Sequence, residues 1–246
     1  MSKPAFLAAD WPVADNIIAG TTQRPGGAST GVYAGFNIGA HVGDDPQSVA
    51  DNRRQLRNLV DLPNEPNWLQ QVHGSVVVTA PCTAAEPAAD ACIATSPGTV
   101  CAVLTADCLP VLFASADGQA VAAAHAGWRG LSAGILEATV EAFECSPHEL
   151  IAWLGPAISQ SAFEVGDEVR EQFVAQDAGA AAAFAANVAG RWQADLYSLA
   201  RLRLKHCGVT RIFGGDCCTF AQSDEYFSYR RDGQCGRMAS LIFRRE

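Results

Sequence analysis

From Asp45-Pro46 onward, Val49, Arg53, Leu56 and Val60 recur every three or four residues. That spacing predicts a first helix, stopped by Pro63 and Pro66. Trp68 to Ala80 follows as a strand centred on Val76-Val77-Val78. Gly98 to Ala106, Leu109 to Ala114 and Ala120 to His125 are apolar, β-rich runs, with a turn at Asp117-Gly118. After a loop at Ala126 to Gly130, the residues Leu131, Ile135, Leu136, Thr139, Val140 and Phe143 fall on one face of a helix that reaches about Glu144. Ser146-Pro147-His148-Glu149 has the form of a helix-starting capping box with proline at the first helical position. Ile151 to Leu154 reads as a buried strand, 166–176 and 195–207 as helices, and Arg211 to Phe213 and Ala239 to Phe243 as closing strands. The N-terminal third, with Gly26-Gly27, Gly31, Gly35, Gly39 and Gly43, reads as turns between short strands. There is no repeat and no break in composition. The pattern predicts one domain over 1–246, of α/β or mixed α+β class, with helices covering a mixed sheet.

Composition narrows the function. The 246 residues are 49% hydrophobic and 17% charged, which excludes wholesale disorder. The net charge is −9, and no basic run offers a grip on nucleic acid or an anionic membrane. No apolar stretch approaches the ~18 residues of a membrane span. Met1 to Pro12 does not read as a secretory signal. The expectation is therefore a cytoplasmic chain whose nine cysteines are free thiols. With no long heptad pattern, the default is a monomer acting on small molecules.

Chemistry concentrates in three segments: Gln71-Val72-His73-Gly74, Thr105-Ala106-Asp107-Cys108-Leu109-Pro110 and Ala124-His125-Ala126-Gly127-Trp128-Arg129-Gly130. Each sets a metal-compatible donor at a strand end beside glycine, proline or a turn. Two imidazoles and a thiolate suit Zn²⁺ with a fourth position left for water or substrate. Such an ion acidifies bound water and polarises a substrate atom. Asp107 is the candidate to orient a ligating histidine. The residues alone leave a second reading open, a Cys108 nucleophile with a histidine base.

These three segments resemble the signature blocks of the laccase-domain family, also named for purine nucleoside phosphorylase or polyphenol oxidoreductase, whose bacterial members are called YfiH-type proteins. The likeness extends along nearly the whole chain. It includes Thr21-Thr22, Gly26-Gly27, Phe36-Asn37-Ile38-Gly39, His41-Val42-Gly43-Asp44, Asn52-Arg53, Leu154-Gly155-Pro156-Ala157-Ile158, Phe163-Glu164-Val165-Gly166, Phe227-Ser228-Tyr229-Arg230-Arg231 and Gly236-Arg237-Met238-Ala239. Gln23 and Cys235 depart from the family pattern. The resemblance implies a three-layer α/β/α arrangement around mixed sheets, with His73, Cys108 and His125 as zinc ligands. It also implies phosphorolysis of purine nucleosides to base and ribose 1-phosphate, with deamination of adenosine and phosphorolysis of methylthioadenosine at the same site.

Phosphorolysis needs an anion held against C1′ of the ribose. Arg53, assisted by Asn37, is the first candidate to bind it, and Arg231, beside Arg230, is the second. His41 is expected to line the pocket. Asp107 and Glu164 are weaker candidates to move a proton. His148 and His206 sit in helix-end settings and are expected to be bystanders. Other readings stay on the page: a metal-free Cys-His hydrolase or deamidase, a hydrolase editing a peptidoglycan precursor, and a non-enzymatic scaffold. A copper oxidase is disfavoured, because five histidines are too few for an added multinuclear copper cluster.

Overall fold

Two sheets packed face to face carry the molecule, and their elements follow from runs of buried β-branched and small apolar residues. The computed structural model describes residues 5–246, so Lys3 and the first four positions of the segment read for a secretory signal lie outside the described residues. In chain order the strands are β1 (Phe6–Ala8), β2 (Ile17–Thr22), β3 (Val77–Thr79), β4 (Ala91–Ala94), β5 (Cys101–Thr105), β6 (Leu109–Ser115), β7 (Val121–Ala126), β8 (Leu150–Leu154), β9 (Glu164–Val165), β10 (Phe184–Ala186), β11 (Trp192–Ala194), β12 (Arg211–Gly214) and β13 (Met238–Arg244). The helices are α1 (Pro46–Leu59), α2 (Trp128–Ala133), α3 (Ile135–Glu141), α4 (Asp167–Val174), α5 (Leu196–His206) and the single turn α6 (Tyr229–Asp232). No helix among the described residues is long and apolar enough to cross a membrane.

One sheet is antiparallel, in the order β1-β2-β13-β5. The other is mixed, in the order β12-β8-β6-β7-β4-β3, with parallel pairs at its two edges. A small antiparallel sheet, β10-β11-β9, lies apart from both. Strand β6 shows why its sequence is apolar throughout. Leu112 and Ala114 face the four-stranded sheet, among Cys101, Val103 and Ile242. Val111 and Phe113 face the helices, among Leu131, Ile135, Leu199 and Leu204. Side chains alternate across the strand, and both faces are covered. On the far side of the four-stranded sheet, Leu56 of α1 joins Phe36, Ile38 and Trp68 against Leu104, Leu241 and Phe243. The fold is thus the expected mixed α/β class with helices outside, and its β layer is double.

Three local expectations change. The strand from Trp68 to Ala80 shrinks to β3, because side chains take the backbone bonds before it. Gln71 clamps Leu104 both ways, donating from Nε2 to the carbonyl at 2.9 Å and accepting the amide at 2.7 Å. The helix from Leu131 to Glu144 starts earlier, at Trp128, and breaks in two at Gly134, whose φ of 94° belongs to the left-handed region. The capping box forms its bond from Ser146 N to Glu149 Oε2 at 3.0 Å. It closes only a 3₁₀ turn, because Leu150 enters β8 directly.

Candidate metal centre and its pocket

The topology gathers the three donors. His125 lies in β7, with Pro110 of β6 as its register partner. Cys108 sits in the turn where the chain leaves β5, in one sheet, for β6, in the other. His73 occupies the loop before β3 and has a φ of 59°. One donor atom from each lies within 4.8 Å of the other two. The imidazole rings stand edge to face, with centroids 4.8 Å apart. Gly127 lines the space between the donors. A Cβ there would lie 2.9 Å from Cys108 Sγ, 2.9 Å from His73 Nδ1 and 3.5 Å from His125 Nε2. A side chain at this position would fill the cradle that the three donors surround.

The fully buried Asp90 organises both histidines. Its Oδ1 lies 2.8 Å from His125 Nδ1 and accepts the His73 amide at 2.9 Å. Its Oδ2 accepts the amides of Gly74 at 2.7 Å and Val72 at 3.2 Å. Burial alone would raise its pKa, but the His125 bond and these amides outweigh it and hold the carboxyl below its usual range. Asp90 thereby fixes the His125 tautomer that turns Nε2 toward Cys108. Burial works against charge at His125 and Cys108 too. Their mutual attraction, helped by Asp90 and His73, prevails: the thiol falls to about 6 and the imidazole rises to about 9. The favoured thiolate is the metal-binding form. Two imidazole nitrogens, one of them on a carboxylate-braced ring, and one thiolate fit a zinc ion with one position left open.

Asp107 has a different part from the one expected of it. Its carboxylate accepts Thr219 Oγ1 and Arg230 N, each at 2.7 Å, and its φ is 92°. It pins the turn that presents Cys108, and Asp90 takes the place at the histidines. Sequence reading missed Asp90. Its only signal is a carboxylate wedged in the apolar string Ala88-Ala89-Asp90-Ala91-Cys92.

The donors open into a cavity of about 500 Å³, walled also by His41, Glu86, Tyr229 and Arg237. His41 lines it as expected. Asn37 does not face it. Fully buried, it accepts the amides of Gly39 at 2.9 Å and Arg237 at 2.8 Å, so it braces two wall segments. Arg53 lies over the Trp68 ring, 4.2 Å from its centroid, and donates to the Ile38 carbonyl. Arg231 donates to the carbonyls of Thr219, Phe220 and Tyr226 and pairs with Asp232. Neither arginine lines the cavity. Glu164 accepts from Asn187 away from the pocket, and His206 pairs with Asp177 at the surface. The wall residues that were passed over, Tyr229 and Arg237, lie inside C-terminal blocks already noted for their likeness to the family.

The family described as multi-copper polyphenol oxidoreductase laccase matches residues 18–245. The chain belongs to this family. Among its relatives is the protein of Escherichia coli named purine nucleoside phosphorylase YfiH, 51% identical over 99% of both chains. Another is purine nucleoside phosphorylase PA4543 of Pseudomonas aeruginosa, 48% identical over 97% of this chain and 98% of that one. Protein NMB0706 of Neisseria meningitidis, whose crystal structure is assigned to family DUF152, superposes with a TM-score of 0.94. It is 49% identical, and the match covers 98% of this chain and 99% of that one.

Proposed function

We propose that the chain is a zinc-dependent purine nucleoside phosphorylase, converting adenosine, inosine or guanosine to free base and ribose 1-phosphate. Deamination of adenosine and phosphorolysis of methylthioadenosine belong to the same reading. The observation that carries it is the convergence of His73, Cys108 and His125 in a cavity that also presents an arginine and an aromatic ring. The names of the relatives support the substrate class. The donor set favours zinc over a multinuclear copper cluster, since among the described residues His73, Cys108 and His125 form the single cluster of three metal-compatible donors.

In the reaction, a phosphate oxygen forms a bond to C1′ while the C1′–N9 bond breaks. The bonding pair leaves with N9, and the departing purine takes up a proton. His73, Cys108 and His125 would hold the zinc, which when bound would supply a Lewis acid for a substrate oxygen or nitrogen. Tyr229, 59% exposed on the cavity wall, offers an aromatic face for the purine. His41 and Glu86 are the wall groups placed to move a proton. Burial and the nearby charge of Arg237 hold His41 below its usual pKa, so its neutral imidazole accepts the proton of the attacking dihydrogen phosphate, and that proton passes on to the departing purine.

The test is one assay series. Adenosine, inosine and guanosine are incubated with and without phosphate, and base, ribose 1-phosphate and ammonia are resolved. Base release that ignores phosphate overturns the reading. The Cys108–His125 charge pair also favours a second reading, a metal-free cysteine hydrolase. Stoichiometric zinc, lost in Cys108→Ala together with activity, supports the first. Full activity in metal-free protein, abolished by alkylation of Cys108, supports the second.

A further inference from the structure

We infer that Arg237 and Thr105 form an oxyanion subsite, in the wall of the metal pocket, that takes inorganic phosphate. The inference rests on the phosphorolysis reading and deepens it. A phosphate in a recessed site calls for a guanidinium with free N–H groups, held in place before the anion arrives. Among the described residues, Arg237 is the one arginine lining this cavity. Its Nη1 donates to the carbonyls of Cys235 at 2.9 Å and Gly236 at 3.0 Å. Its Nε and Nη2 have no hydrogen-bond acceptor among the described residues, and no carboxylate pairs with it there. Arg53, whose Nε donates to Ile38, and Arg231, bonded to Thr219 and Phe220, do not line the cavity.

Arg237 is also held from several sides. Its amide donates to Asn37 Oδ1 at 2.8 Å, and its carbonyl accepts the Ile38 amide at 3.1 Å. Gly39 leaves room for its stem, since a Cβ there would come within 2.9 Å of Arg237 Cγ. The guanidinium therefore projects from a braced backbone, and little ordering remains to be done on binding.

Thr105 supplies the independent observation. It lines the same cavity and is 2% exposed, yet its hydroxyl has no hydrogen-bond partner among the described residues. Buried hydroxyls are nearly always bonded, so an unpartnered one beside a cavity points to a ligand. Its register partner across the β5–β13 pair is Met238, the residue after Arg237. Thr105 thus closes β5 and Arg237 directly precedes β13, at one end of the sheet. Burial first, then Arg237 and Arg53, disfavour a proton on His41 in the same wall, against the opposing charge of Glu86.

The test begins with the wild-type protein as purified, its metal content measured, titrated with inorganic phosphate and followed by ³¹P NMR. Arg237→Gln should weaken phosphate binding by about 10-fold or more, the range of a lost charged hydrogen bond. In the phosphorolysis assay the same variant should raise KM for phosphate by a like factor and leave KM for inosine within about threefold. Arg237→Lys should restore part of the affinity, and Thr105→Val should lower it with the melting temperature retained. Unchanged phosphate binding in folded Arg237→Gln overturns the subsite, as does an equal loss in Arg53→Gln. Should Arg237→Gln fail to fold, the Lys and Val variants decide, and wild-type affinity in both overturns it. Wild-type protein that binds phosphate through Arg237 without cleaving nucleosides would sink the phosphorolysis reading and uphold the subsite.

Discussion

Asp90 governs His125 and His73 through a single oxygen, accepting the ring nitrogen of one and the backbone amide of the other. The carboxylate therefore sets both the tautomer of a donor in a strand and the path of the loop that carries its partner. Asp90→Asn keeps the shape but turns an NH₂ toward groups that themselves donate. Metal affinity should fall by about 10- to 100-fold, measured by chelator competition. Asp90→Ala should in addition lower stability by about 3 kcal/mol, because the buried His125 ring loses its carboxylate and three half-buried amides lose their acceptor. Wild-type metal affinity in either variant would show that the histidines orient themselves.

Gly127 separates site from scaffold. Its φ of −60° suits any residue, so Gly127→Ala brings no backbone strain. The added methyl would press on Cys108 Sγ and His73 Nδ1. The expected result is loss of bound metal and of activity, with unfolding free energy within about 1 kcal/mol of wild type. Stoichiometric zinc retained in this variant would contradict the cradle.

The charge pair at the centre gives a pH signature in protein stripped by a chelator. Cys108 should alkylate with a midpoint near its pKa of about 6, far below the ordinary thiol value of 9.0. The thiolate protonates and the rate falls below that midpoint. His125 keeps its proton up to about 9, so the pair persists between the two values. His125→Ala should move the midpoint upward. Peptide mapping of iodoacetamide adducts against pH measures this, and an unshifted midpoint in the variant would remove His125 as the cause.

Helix α1 offers a stability test remote from the site. Asp45 caps it, accepting Ser48 N at 2.9 Å and Ser48 Oγ at 2.8 Å. These bonds hold its pKa below the ordinary 3.8. A depressed carboxyl stabilises fully above its unfolded value and loses that contribution as pH falls through its folded value. Asp45→Ala should melt below wild type at neutral pH, and the two curves should converge in acid. A gap that persists at the lowest pH where both fold would assign the effect to something other than the carboxylate.

What the sequence disclosed and what it withheld differ in physical kind. The three donors were legible because each stands in a short, distinctive block at a strand end. Strand β6 was legible because burial on both faces demands an unbroken apolar run. Asp90 was invisible because its partner is created by the antiparallel β4–β7 pairing, which brings Asp90 beside His125. Asp107 misled by adjacency: being next to Cys108 in the chain says nothing of where a turn residue points its carboxylate. Asn37, Arg53 and Arg231 had the right chemistry for a ligand, but nearby backbone groups and an indole ring already engage them. Arg237 was passed over because free N–H groups are a property of surroundings, not of residue type.

Cys108 and His125 hang from the double β layer at the centre of the molecule, whereas His41, Tyr229 and Arg237 come from turns near the two ends of the chain. The metal cradle and the pocket wall are therefore built from separate stretches of chain, and they are joined where Asp107, beside Cys108, accepts the amide of Arg230, beside Tyr229. A change at that one carboxylate would loosen both together.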